Sequence, residues 1–340
     1  MPVVASYPSS AEARDRFVLE RRPSRPPLDP WRHQGVLVEQ EVGPEGVVEP
    51  SATVFLTGRE CPWRCVMCDL WQHTTETDTP RGAIAQQIAQ ATHDLQQRGT
   101  LPPQIKLYNA GSFFDPRAVP PDDYDAIGQV LRPYRRVVVE SHPMLVGPRL
   151  DTFRDACARA AAPDAPPAIE VAIGLETAHP EALERLHKRV TLTRFARAAE
   201  RVRLAGAKLR VFLLVGVPFI PQSEQASWLR RSVAFANDCG ATVITLIPLR
   251  RGNGAVEVLE ATGDAVMLTI DCLEVAQADA LSVPRASGCR VFADLWDIER
   301  LASCQSCIAS RTERLDRMNR TQQVESSVTC EACHQREGVA

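Results

Sequence analysis

From residue 52 onward the sequence switches repeatedly between two hydrophobic periods, and that alternation leaves few folds open to it. Six short runs rich in Val, Ile and Leu read as strands: Ala52 to Leu56, Gln104 to Tyr108, Arg136 to Glu140, Ile169 to Leu175, Leu209 to Val215 and Thr242 to Ile247. Segments near 82–98, 122–132, 149–160, 180–205 and 223–239 lie between them with helical spacing. Strand–helix repeats imply an α/β protein with a parallel sheet and right-handed crossovers. The strands are almost wholly apolar, as expected when helices and a core cover both faces. Six repeats are too few for an eight-stranded barrel. The expected architecture is therefore an open, partial (β/α)6 barrel.

Outside this region the composition changes. Residues 1–50 hold the Pro- and Arg-rich run RRPSRPPLDPWRH, which disfavours long helices and central strands. We expect an N-terminal arm here, partly extended on the surface, with Arg21, Arg22, Arg25 and Arg32 free to be solvated or to meet an anionic substrate. Val36 to Val48, centred on Gly-Pro-Glu-Gly, reads as a hairpin leading into the first strand. The expected division is an arm at 1–50, a barrel at 51–260 and a C-terminal extension at 261–340. A net charge of -3 argues against a bulk electrostatic nucleic-acid or membrane partner. No apolar run approaches the ~20 residues of a membrane span, and the N-terminus has no apolar signal-peptide segment. A reducing cytoplasm is the expected location.

Seven of the 11 cysteines fall in clusters with metal-ligand spacing; Cys157, Cys239, Cys272 and Cys289 are scattered. Cys61, Cys65 and Cys68 form a C-x3-C-x2-C triplet just after the first strand. Three thiolates on one short loop can hold three corners of an iron–sulfur cube and leave a fourth position open. The competing reading is a zinc knuckle completed by His73. In parallel α/β folds ligands bind at the carboxyl ends of strands. There this chain carries Asn109-Ala110-Gly111-Ser112, Glu140-Ser141-His142-Pro143 and Gly174-Leu175-Glu176-Thr177, followed by His187-Lys188-Arg189. Read without further context these are turns and solvated charges at strand ends.

The triplet, together with YNAGSFFDP, ESHP, GLET, HKR and PLRRG, resembles the radical S-adenosylmethionine (SAM) superfamily across roughly residues 52–260. Within it the run VAIGLETAHPEALERLHKRVTL is similar to the Elongator and methylthiotransferase-like group, and the set as a whole to the archaeosine synthase radical SAM subunit and its bacterial relatives. The resemblance implies a [4Fe-4S] cluster on Cys61, Cys65 and Cys68, with SAM on its open iron. Met67 stands where the family often places an aromatic residue against adenine. Asn109, Gly111 and Ser112 match the element that meets the SAM amino group, though Ser112 replaces a glutamate. Glu140 faces SAM, Glu176 takes the ribose, and Arg189 takes the carboxylate, with Lys188 one residue away as the other cation. The implied reaction is reductive cleavage of SAM to a 5′-deoxyadenosyl radical that removes a hydrogen atom from a substrate, either a modified nucleoside in tRNA or a small metabolite. A flavodoxin or ferredoxin is the implied electron donor. The alternative from another class is a zinc-binding nucleic-acid or protein adaptor whose cysteines are all structural; it has no use for the strand-end motifs.

The tail holds Cys304-Gln-Ser-Cys307 and Cys330-Glu-Ala-Cys333. Two C-x2-C pairs at this separation are a strong metal signal, and a bound ion would staple a segment too polar to form its own core. Zinc is the favoured ion, a second, auxiliary [4Fe-4S] cluster the competitor. His334 is superfluous to a four-thiolate site.

Overall fold

The structure is a computed structural model that describes residues 6–109, 111–161, 165–286 and 288–333. Eight strands form one sheet in chain order: β1 (Gly35–Val42), β2 (Val48–Leu56), β3 (Gln104–Asn109), β4 (Arg136–Glu140), β5 (Ala168–Glu176), β6 (Lys208–Val215), β7 (Val243–Pro248) and β8 (Arg290–Ala293). β1 and β2 are the expected antiparallel hairpin, with Val42 opposite Val48, and Gly46 at φ 78° turns between them. From β2 to β8 every pairing is parallel. The six strands of the expected barrel sit where the apolar runs placed them, and the sheet adds β1 at one edge and β8 at the other. The result is a curled, partial barrel.

Helices cover the outer face. Ile84 and Ile88 of α2 (Ala83–Gln97), Ile127 and Leu131 of α3 (Tyr124–Leu131) and Phe153 of α4 (Pro148–Ala160) are all buried against sheet residues such as Val54, Ile105 and Val137. Each such side chain contributes about 1.5–3 kcal/mol when removed from water. The helix expected over 180–205 is two helices, α5 (Pro180–Arg185) and α6 (Leu192–Leu204). His187 and Arg189 between them have φ of 59° and 60°, which no helix accommodates, and the Thr191 hydroxyl accepts the Arg194 N–H to start α6 afresh.

The N-terminal arm contains a helix, α1 (Ala11–Leu19), whose Phe17 and Val18 enter an apolar cluster with Val66, Leu186 and Leu249. Arg22 and Arg25 are not free for a substrate: both pair with Glu60, just before Cys61. α7 (Gln225–Asp238) links β6 to β7; after β7 come α8 (Ala255–Ala261), α9 (Ile270–Ser282), which packs against α7, and, beyond β8, α10 (Ile308–Thr321). No helix among the described residues is long and apolar enough to cross a membrane.

Candidate active site

The loop after β2 carries the three cysteines and is held at both ends. Gly58–Arg59 pairs with Thr74–Thr75, closing its base. The Val66 N–H donates to the Leu186 carbonyl at 3.0 Å. Asn253, wholly buried, donates from Nδ2 to the carbonyls of Val66 (2.6 Å) and Cys68 (3.2 Å). Its Oδ1 accepts the N–H groups of Ala255 and Val256, so one side chain joins the start of α8 to the cysteine loop. The arm crosses here so closely that a Cβ on Gly254 would lie 1.9 Å from the Arg21 carbonyl oxygen.

Cys61, Cys65 and Cys68 line a cavity of about 610 Å³ at the carboxyl ends of the strands. Burial pushes all three thiols up, Cys65 to about 12. A cationic metal group is what would make them thiolates there. Met67 lines the same cavity, as do Asn109, Gly111, Ser112, Glu140 and Glu176. Asn109 is buried, and neither its Oδ1 nor its Nδ2 has a hydrogen-bond partner among the described residues. An orphaned amide of this kind costs roughly 1–3 kcal/mol, and its donor and acceptor suit a ligand's amino and carboxylate groups. Ala110 lies outside the described residues. Gly111 is obligatory, since a Cβ would come within 2.3 Å of the Arg59 carbonyl oxygen. Ser112 is buried behind the surface, where its Oγ accepts the His142 N–H at 2.9 Å.

Glu140 ends β4 inside the cavity. Burial, reinforced by nearby Glu176 and opposed by Lys188, pushes its carboxyl up to about 8. His142 is neutral: burial, then the Lys188 charge, hold it down to about 2. Its Nδ1 accepts the Met144 N–H and its Nε2–H donates to the Lys188 carbonyl, while its ring stacks on Trp63 at 3.5 Å.

The expected role of Arg189 meets a different geometry. Arg189 does not line the cavity; its guanidinium is half-exposed and pairs with Asp15 of α1 at 3.1 Å. His187 also turns outward to Asp15, at 2.8 Å. Lys188 between them points inward and donates to Glu176 at 2.8 Å. Burial opposes its charge, but the Glu176 carboxylate outweighs that and raises its pKa. Of these three residues the one that lines the cavity is therefore Lys188, as the left-handed turns at His187 and Arg189 send their side chains to Asp15 instead.

At the other end of the chain the Sγ atoms of Cys304, Cys307, Cys330 and Cys333 lie within 4.8 Å of one another, 3.9 Å between 304 and 330 and 3.8 Å between 307 and 333. No other group of three or more His, Cys, Asp or Glu ligand atoms is gathered so tightly among the described residues, so His73 does not complete a single-ion site with the first triplet. The Ser306 N–H draws the Cys304 thiol down to about 6. His334 lies outside the described residues.

No family model matches the chain. Among curated proteins it is 25% identical over 262 residues to the archaeosine synthase subunit beta of Methanosarcina acetivorans, covering 74% of this chain and 71% of that one. It is 27% identical over 174 residues to the protein of the same name from Thermococcus kodakarensis, spanning 50% of this chain and about half, 51%, of that relative. The chain is thus similar in sequence to the archaeosine synthase beta subunits. These relatives belong to the group that the motifs resemble. Similar solved structures include Elp3 of Methanocaldococcus infernus (TM-score 0.49, 11% identity, 71% of this chain and 56% of that one) and methylornithine synthase PylB (0.44, 14%, 87% and 81%). The residues that motif reading overlooked in this chain are Asn253, Trp63 and His142 as an anchor. Only the position of Asn253 directly after PLRRG and that of His142 within ESHP hinted at them.

Proposed function

We propose that this chain is a radical SAM enzyme, with a [4Fe-4S] cluster on Cys61, Cys65 and Cys68 and SAM beside it. The observation that carries the reading is one cavity lined by those three thiols, the orphaned Asn109 amide and the Lys188–Glu176 pair. When bound, the two cofactors supply reductive cleavage of a carbon–sulfur bond and a 5′-deoxyadenosyl radical that abstracts hydrogen. The chain's part is to bind and orient. Asn109 offers a donor and an acceptor to an amino-acid head group. Lys188, held by Glu176, offers positive charge to a carboxylate, the task that the resemblance assigns to Arg189. Met67, Leu214, Ile247 and Leu249 give apolar walls for a base and exclude water. The first substrate to try is the kind of modified tRNA nucleoside that the relatives' name indicates, with small metabolites as the second set and flavodoxin or ferredoxin as donor.

For the tail we propose zinc. Zn–S bonds of about 2.3 Å put tetrahedral thiolates roughly 3.8 Å apart, whereas a cubane spreads its ligands further. The observed 3.8 and 3.9 Å separations support one ion.

Anaerobically purified chain should be brown and should release 5′-deoxyadenosine from SAM and a reductant. Colourless protein containing zinc alone would overturn the enzyme reading in favour of a structural adaptor.

A further inference from the structure

The four-thiolate site has a place in the architecture that its ligand set alone does not explain. Resting on the reading that it holds one ion, we infer that this ion clamps α10 in the position of a ninth strand, where the helix closes the barrel between β8 and β1. The reasoning begins with β8, an edge strand. β7 occupies one side of it, and the N–H and C=O groups of Val291 and Ala293 face the other. Exposed edges of this kind are normally paired, blunted or covered.

Here two side-chain amides, Asn319 in α10 and Gln322 capping its end, make the bonds that a neighbouring strand would make. Asn319 accepts the Ala293 N–H at 2.8 Å and donates to the Ala293 carbonyl at 2.9 Å. Gln322, three residues on, accepts the Val291 N–H at 2.6 Å and donates to the Val291 carbonyl at 2.9 Å. The helix also packs against β1, the opposite edge of the sheet. Below it the two edges touch directly: Val42 meets Phe292, and Arg290 donates to the Val42 carbonyl at 2.8 Å. Asn319 is part of the cavity wall, so α10 separates the candidate active site from solvent along this seam.

α10 is too polar to hold itself there: within it only Leu315 and Met318 are fully buried apolar residues. The thiolates supply the constraint. Cys304 and Cys307 precede the helix, and Cys330 and Cys333 follow it. The chain between returns along the helix, where Arg314 donates to the carbonyls of Glu325 (2.7 Å) and Ser326 (2.8 Å). An ion on all four sulfurs therefore ties the two ends of a helical hairpin together, and the helix cannot peel from β8 without breaking the site. Arg311 adds a bond from Nε to the Cys307 sulfur at 3.3 Å and an ion pair to Glu274 of α9.

The test uses the full chain, with metal analysis and hydrogen–deuterium exchange. Wild type and the Cys61→Ala/Cys65→Ala/Cys68→Ala variant should each carry one zinc per chain. Iron and sulfide persisting in that triple variant, or no tail metal at all, would defeat the single-ion reading and the clamp with it. Cys330→Ser/Cys333→Ser, or chelation of folded wild type, should remove the zinc. Exchange over Arg290–Ala293 and Gly35–Val42 should then rise at least tenfold, with Pro148–Ala160 unchanged. Asn319→Ala/Gln322→Ala should raise exchange over the same two strands while zinc remains bound, which covers the case of a serine variant that does not fold. Zinc lost without any change at the seam would leave the ion assignment intact and overturn the clamp.

Discussion

The two cysteine groups of this chain set the same ligand type in opposite surroundings. Cys61, Cys65 and Cys68 face a cavity, number three, and share it with an amide that has no partner among the described residues. Cys304, Cys307, Cys330 and Cys333 number four, converge within 4.8 Å, and join the ends of a polar hairpin. An incomplete ligand set at a cavity leaves a metal position for chemistry; a complete one closes the shell and leaves only structure. On the reading proposed above, ligand count and surroundings, not ligand type, would separate a catalytic site from a staple.

The contrast can be broken most decisively at its first member. Replacing Cys61, Cys65 and Cys68 by Ala should remove iron, sulfide and colour and lower 5′-deoxyadenosine formation to background, a loss of at least ~10³-fold on the scale of cofactor-dependent catalysis. Zinc in the tail should be unaffected; loss of both metals together would mean that the two groups are not independent.

The next largest effect concerns which cation serves the cavity. Lys188→Met strands the buried Glu176 carboxylate and should weaken SAM binding about 100-fold, as removal of one partner of a buried pair costs several kcal/mol. Arg189→Met breaks only a half-exposed pair with Asp15 and should change binding by less than about threefold. Equilibrium binding under anaerobic conditions reads both, and the reverse order would restore Arg189 to the role implied by resemblance.

Removing the ion proposed for the tail should act on stability instead. Cys304→Ser/Cys307→Ser should lower Tm by about 5 °C or more, on the order of 3 kcal/mol, while iron at the first site stays. Scanning calorimetry with iron analysis distinguishes this from general misfolding.

The smallest effect is a pH slope. Burial holds the Glu140 carboxyl up to about 8 against an ordinary 4.5. Between those values the folded chain keeps a proton that the unfolded chain has lost, so this contribution to stability falls as pH rises through the window and levels off above it. Glu140→Gln should flatten that component of Tm against pH in metal-free protein; an unchanged slope would show that the carboxyl is ionised at neutrality.

Much of this was legible before any coordinates. Val137, Val138 and Val139 announce a buried strand, and Gly43-Pro44-Glu45-Gly46 announces a turn, because apolar periodicity and turn chemistry act over a few residues. Cysteine spacing is equally local. Arg290–Ala293 was not legible as a strand: it is four residues long and gains its register from β7 and its outer bonds from α10. Asn253 reads as loop sequence, and its importance comes from carbonyls nearly two hundred residues away. Arg22 and Arg25 read as a solvated arm because Glu60 is distant in the chain.

The six central strands, the partial barrel and the grouping of the cysteines along the chain were thus determined by the sequence itself, since each follows from local spacing. Tertiary structure alone decided that Lys188 rather than Arg189 enters the cavity, that Asn109 has no partner among the described residues, and that the Asn319 and Gln322 amides bond the outer edge of β8. Those outcomes depend on positive φ angles at His187 and Arg189 and on contacts between distant segments, which no local pattern encodes.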